Sequence, residues 1–326
     1  MKKEHPLGFR TPYAWIVEPV HGCNLRCGHC SHALDPPGLP YQFMTEKTWK
    51  DAFKILNAIS PTCRVDLCLS GEPTLHPDIL AFISIARKIA PKAQIQITTN
   101  GTMLRKGKIT YQELFAAGIN IVYTDMYGPK EFFMDSAKKS GVFWYEYYNH
   151  TEKVPSPWTY HGPEIQMIIL QEQPENWPES RFRAGLLGTF CNNLDWEKAK
   201  RFGLYPVTIP PKRRCNQPFI YVPIHASGDY LLCCQDNMGE SRGIGGNVFE
   251  GIDGFENWWL GKNMQTIRRR LRNKNRIDTT YCSRCSVTHS RCDYILWKKD
   301  TLMQYKENGI WKKISAEKSS SEKNTF

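Results

Sequence analysis

Glu18-Pro19-Val20-His21-Gly22-Cys23-Asn24-Leu25-Arg26-Cys27-Gly28-His29-Cys30 closes the first strongly apolar run of the chain, residues 15–20. Three cysteines spaced C-x3-C-x2-C fall in one tight loop. Such a loop can hold three irons of a 4Fe–4S cube and leaves the fourth iron without a protein ligand. An open metal position binds a small molecule, the logic that separates catalytic from structural zinc sites. On spacing alone a zinc knuckle, with His21, His29 or His32 as fourth ligand, stays open beside the iron–sulfur reading.

Outward from this loop, apolar runs alternate with helical patterns. The strand candidates are residues 15–20, 65–70, 95–99, 119–125, 142–147 and 165–170. Between them, residues 45–59 carry Trp49, Ala52, Phe53, Leu56 and Ile59 at helical spacing behind Thr45 as N-cap. Residues 77–89, 110–117 and 129–140 complete the helical set. Six strands alternating with helices predict right-handed βαβ units and a parallel sheet, open or curled into a barrel. Residues 149–163 and 171–180 read as loops. Further on, residues 218–224 and 230–233 flank Ser227-Gly228-Asp229 and read as a hairpin. Residues 257–271 read as a helix, and the polar tail from 314 as disordered.

The 326 residues carry a net charge of +11, of which +3 falls in residues 1–211 and +8 in 212–326. A solvated surface is the preferred reading of that excess, with a polyanion or acidic peptide as the alternative. No apolar stretch reaches the length of a transmembrane helix, and the N-terminus lacks the apolar segment of a signal peptide. A cytoplasmic protein with no membrane association is expected. There, twelve cysteines argue for metal or redox chemistry rather than disulfides.

The triplet resembles the signature of the radical S-adenosylmethionine (SAM) superfamily, and the likeness extends over about residues 14–185. Ser70-Gly71-Glu72-Pro73 is similar to the family's Gly-Gly-Glu-Pro motif, with Ser70 in place of the first Gly. Thr98-Thr99-Asn100-Gly101 ends the third strand as in many members. Thr124-Asp125 resembles a Ser-x-Asp motif, with Tyr123 where Ser is usual. Arg183-Ala184-Gly185 is similar to an element of several subfamilies. The resemblance implies an α/β fold, a partial (β/α)6 TIM-like barrel, with the site at the carboxyl ends of the strands. It assigns Cys23, Cys27 and Cys30 to a 4Fe–4S cluster whose open iron takes the amino and carboxylate groups of SAM. It gives the cofactor Ser70, Gly71, Glu72 and Pro73 for the methionine amino group, Thr99 and Asn100 for the ribose, Arg183 for carboxylate or ribose, and His29 near the adenine. Asp125 is either a further cofactor contact or the cap of the helix near Pro129.

A second set follows. Cys215 and Cys233 flank Gly228, and Cys282-Ser283-Arg284-Cys285 is followed by Cys292. The pattern resembles the SPASM/twitch auxiliary-cluster module, in its shorter form. It implies a small C-terminal α+β domain with one auxiliary 4Fe–4S cluster on Cys215, Cys233, Cys282 and Cys285. Cys234 is the rival ligand, and read alone the four thiols fit zinc equally well. The expected division is a radical SAM core over 1–205, an auxiliary domain over 206–313 and a tail over 314–326. Cys63 and Cys68 read as buried structural thiols. Cys191 is the candidate pocket thiol and hydrogen-atom donor.

The resemblance implies reductive cleavage of SAM to a 5′-deoxyadenosyl radical and hydrogen abstraction from a substrate C–H bond. A one-electron donor such as flavodoxin or ferredoxin is then required. A peptide, epimerised, crosslinked or oxidised, is the first substrate expected. A sugar or a nucleic-acid base is the alternative, the base with Lys212-Arg213-Arg214 and residues 268–276 on its phosphates. A metal-binding module that contacts nucleic acid without catalysis is the alternative of another class.

Overall fold

The computed structural model describes residues 12, 14–26, 32, 40–125, 127, 129–140, 144–149, 166–171, 214–215, 217–236, 239–276, 279, 282, 303–307 and 310–314. Strand β1 (Ala14–Val17) leads into a short antiparallel pair, β2 (Val20–His21) with β3 (Gln42–Phe43). Then come α1 (Glu46–Ile59), β4 (Arg64–Asp66), α2 (Ile79–Ile89), β5 (Gln94–Thr99), α3 (Thr102–Arg105), α4 (Tyr111–Ala117), β6 (Ile121–Asp125) and α5 (Lys130–Lys139). Strands β7 (Trp144–Asn149) and β8 (Gln166–Gln171) follow. The C-terminal part holds α6 (Gln217–Ile220), β9 (Tyr221–Ile224), α7 (Gly251–Trp259), α8 (Lys262–Arg272) and the antiparallel pair β10 (Met303–Glu307) with β11 (Ile310–Ile314).

The main sheet has seven strands in the order β7-β8-β6-β5-β4-β1-β9. Strands β9, β1, β4, β5 and β6 are mutually parallel. The expectation of six parallel strands is corrected at one edge: β8 runs antiparallel to both β6 and β7 and lies between them. The reason is in the connection. A parallel return needs a crossover, usually a helix. Residues 125–144 contain α5, which lets β7 run parallel to β6, whereas 149–163 carry no helical pattern.

Local signals place the helices. Thr45 caps α1 by accepting the Thr48 N–H, and Thr110 and Glu113 form a reciprocal capping box on α4. One helical pattern, 257–271, divides into α7 and α8 at Leu260–Gly261. The N-cap of α5 is Pro129, so Asp125 does not cap that helix.

Alternate strand residues face the helices. Trp15, Val17, Val65, Leu67, Ile95, Ile97 and Val122 join Trp49, Phe53, Phe82 and Leu114 in one core. The buried indoles of Trp15 and Trp49 donate to Ser60 Oγ and Phe82 O, each at 2.8 Å. The other sheet face is partly polar, with the Arg64 guanidinium 2.9 Å from Asp66.

The region read as a hairpin begins instead in the main sheet. β9 pairs with β1 in parallel from Ala14↔Tyr221 to Val17↔Ile224, and the hairpin survives as one bridge, Ile224↔Tyr230. Phe255 of α7 packs on Trp15 at 4.9 Å, and Trp258 stacks on Tyr230 at 4.8 Å. The C-terminal residues therefore share a core with β1. Among the described residues, no helix is long and apolar enough to cross a membrane.

Candidate functional site

Glu18 and His225 directly follow the paired ends of β1 and β9, and Asn100 follows β5. Ser70–Pro73 comes shortly after β4, and Asp125 ends β6. These residues gather at the carboxyl ends of the parallel strands, where parallel α/β sheets bind ligands.

Cys23 opens the cysteine loop. Its Sγ accepts from the Leu25 N–H at 3.4 Å and from Asn100 Nδ2 at 3.5 Å. Asn100 Nδ2 also donates to Asn24 Oδ1 at 3.0 Å, and Asn24 Nδ2 donates to Thr102 Oγ1 at 2.8 Å. Two donors aimed at one sulfur hold it in place, and sulfur ligates iron as the thiolate. On that count the described part of the loop fits an iron–sulfur cluster. Cys27, His29 and Cys30 lie outside the described residues.

Ser70–Pro73 locks onto this loop. The Glu72 N–H donates to Gly22 O at 2.9 Å. A Cβ on Gly71 would stand 1.9 Å from Val20 O, so this close backbone approach requires glycine. The Glu72 side chain points into the protein, whereas the cofactor contact implied for Ser70–Pro73 is one of the backbone. Its Oε2 accepts the Asn100 N–H at 2.7 Å. Its Oε1 accepts the Thr99 hydroxyl at 2.7 Å, the Thr74 N–H at 3.0 Å and the Thr74 hydroxyl. Burial still pushes its pKa above the ordinary carboxylate range. The Thr99 hydroxyl thus ties the end of β5 to Glu72.

Asp125 has a buried Oδ1 with no hydrogen-bond partner. Burial, with the Glu72 charge behind it, pushes its pKa up to about 7. Cys63 and Cys68 are buried as expected, and burial drives the Cys68 thiol up to about 12, an inert thiol.

Of the second cysteine set, Cys215 and Cys282 are buried and Cys233 is half-buried. Cys234 is buried as well, and burial, with Cys215 adding to the effect, pushes its thiol up to about 12. Cys191, Arg183 and Cys285 lie outside the described residues. In the basic segment, Arg268 and Arg276 are buried, and Arg268 lies over Trp259 at 3.9 Å while donating to Pro218 O at 2.8 Å. Those two residues serve packing.

Sequence reasoning missed Glu18 and His225. Glu18 is fully buried, and its Oε1 accepts from Ser70 N (3.1 Å), Ser70 Oγ (2.7 Å) and Gly71 N (3.3 Å). Its Oε2 faces His225 Nε2 at 3.7 Å, and His21 Nδ1 stands 3.3 Å from Oε1. Burial pushes the Glu18 carboxyl up, but His21, with His225 and Ser70, outweighs this and holds it below the ordinary range. A charged residue at the end of the apolar run 14–17 was the available signal.

Comparison with known proteins agrees with this geometry. Residues 17–150 match the model of the Radical SAM superfamily. A stretch of 117 residues is 28% identical to the antilisterial bacteriocin subtilosin biosynthesis protein AlbA of Bacillus subtilis (strain 168). It covers 35% of this chain and only 25% of that relative's length. The fold resembles the solved structure of BtrN in complex with AdoMet and 2-DOIA, with a TM-score of 0.57, 17% identity, and coverage of 85% of this chain and 94% of that one. An open conformation of BtrN gives a TM-score of 0.52 at 15% identity. The likeness to the Radical SAM superfamily thus lies in residues 17–150, and the chain spans only part of the length of the curated relative it matches.

Proposed function

We propose that the chain cleaves SAM reductively and abstracts a hydrogen atom from a C–H bond of a peptide substrate. The observation that carries the SAM chemistry is the hydrogen-bonded path from Cys23 Sγ through Asn100 to Glu72 and back to Gly22, which welds three strand-end segments into one mouth. The peptide reading draws support from the relative named for bacteriocin biosynthesis, since bacteriocins are peptide or protein antibiotics.

Cys23, Cys27 and Cys30 hold the cluster. When bound, cluster and SAM together supply one-electron cleavage of the sulfonium and a radical able to take hydrogen from an unactivated carbon. The protein's own residues position and exclude. Asn100 steadies the Cys23 sulfur, Glu72 fixes the strand ends, and Ser70–Pro73 offers backbone carbonyls to the SAM ammonium group. Arg183 and His29 complete the cofactor contacts. Asp125, uncharged below about pH 7, offers a hydrogen bond to a hydroxyl rather than a charge.

Cys215, Cys233, Cys282 and Cys285 would hold one auxiliary cluster, which would supply a one-electron acceptor beside the substrate or shape the pocket. Cys191 would give its S–H hydrogen to the substrate radical where the outcome is epimerisation, and one electron from the flavodoxin- or ferredoxin-type donor with a proton would return the thiyl to the thiol. A flavodoxin- or ferredoxin-type donor supplies electrons.

The test is isotopic. Reconstituted enzyme with SAM, dithionite and a Cα- and side-chain-deuterated precursor peptide from the neighbouring genes should place deuterium in 5′-deoxyadenosine. Deuterium arriving only from a labelled sugar would move the substrate to the alternative class.

A further inference from the structure

We propose that Glu18 is a positioning residue of the SAM site and that His225, from the far C-terminal half of the chain, holds it in that role. This rests on the SAM reading above.

Glu18 Oε1 takes two consecutive backbone N–H groups, those of Ser70 and Gly71, together with the Ser70 hydroxyl. In a trans peptide the carbonyl points opposite to the N–H of the same plane. Binding both N–H groups therefore turns the carbonyls of Leu69 and Ser70 to the side away from the carboxylate. Carbonyls so oriented are what a substituted ammonium requires. Ser70, the departure from the family's Gly, gains a role here: its hydroxyl makes the shortest of the three bonds.

Glu18 has no exposure, and its second oxygen, Oε2, has no hydrogen-bond partner. A buried carboxylate in that state is costly unless a charge or donor faces it. His225 Nε2 does, at 3.7 Å. His225 Nδ1 lies 3.1 Å from the Ser227 N and 2.8 Å from Ser227 Oγ, contacts that hold the ring with Nε2 toward Glu18. The turn is anchored in its own right, with Ser227 Oγ donating to Asp229 Oδ2 at 2.5 Å and Asn247 Nδ2 to Asp229 Oδ1 at 2.7 Å. Glu18, His21 and His225 bring three donor atoms within 4.8 Å of one another, the spacing of a metal site. Yet Oε1 is already taken by three donors, so the carboxylate serves here as a clamp on Ser70 and Gly71.

The path Asp229, Ser227, His225, Glu18, Ser70 thus runs from the C-terminal turn into the SAM mouth. Its meaning is that the radical SAM domain is completed by residues beyond its own boundary at 150.

The experiment compares reconstituted wild type, Glu18→Gln, Glu18→Ala and His225→Ala. Iron and sulfide per chain are measured first, then SAM affinity from the change SAM causes in the EPR spectrum of the reduced cluster. Glu18→Ala should keep its iron and bind SAM about tenfold more weakly or worse. Glu18→Gln, which keeps an acceptor oxygen for Ser70 and Gly71, should fall between it and wild type, and His225→Ala should weaken SAM about threefold or more. SAM affinity within twofold of wild type in Glu18→Ala and His225→Ala, or loss of iron in Glu18→Gln, would overturn the proposal. A wild-type spectrum indifferent to SAM would instead sink the reading on which it rests.

Discussion

Glu72 Oε2 accepts the backbone N–H of Asn100 at 2.7 Å, so the segment after β4 grips the end of β5 through a fully internal carboxylate. Glu72→Ala would strand the Asn100 and Thr74 amides in a buried site. Buried donors left unpaired cost about 1–3 kcal/mol each. Loss of about 3 kcal/mol or more in denaturant unfolding is expected, with reduced SAM affinity as a consequence. Unchanged stability would show that the carboxylate is dispensable.

Gly71→Ala tests the close backbone approach. A Cβ 1.9 Å from Val20 O has no room, so the segment must leave the cysteine loop. SAM binding should be lost, while α1 and its core keep the helical circular dichroism. Normal SAM affinity in this variant would contradict the packing described.

Asp125 predicts a pH dependence. Its pKa is raised from 3.8 to about 7, so the stability it contributes is complete below about pH 4 and is lost as pH rises through about 7. Thermal melting of Asp125→Asn against wild type between pH 5.5 and 8.5 should show the variant gaining relative stability as pH rises. About 2 kcal/mol of relative change is expected across that window. Parallel curves would remove the buried carboxyl.

Thr45→Ala removes the N-cap of α1. It should cost about 1 kcal/mol in urea unfolding and leave SAM cleavage intact. Unchanged unfolding would show that the Thr45 cap is dispensable.

Much of this was legible in the sequence because each feature rests on a local signal. Thr45 and Thr110 announced two helices, and the motifs at residues 23, 70–73 and 99–101 fell in order at successive strand ends. What escaped was set by pairing at a distance. β9 reads as half a hairpin, since nothing near Tyr221–Ile224 says that β1 will accept it as a neighbour. β8 reads as parallel because strand direction is decided by its connection. The pair β10–β11 carried a signal that went unread, Asn308-Gly309 between two alternating runs. The bracing bonds of the Glu72 side chain to Thr99 and Asn100 also escaped, since spacing alone does not show which donors a buried carboxylate accepts.

Cys282→Ala separates the two proposed clusters. Iron should fall from about eight to about four per chain, with SAM affinity kept and substrate turnover impaired. Eight irons retained would remove Cys282 from the ligand set.

SAM cleavage itself is the most direct measurement. Anaerobically reconstituted protein with dithionite and SAM should release 5′-deoxyadenosine and methionine in equal amounts, and Cys27→Ala should release neither. Absence of cleavage in a wild type with its full complement of iron, or its persistence in Cys27→Ala, would contradict the account.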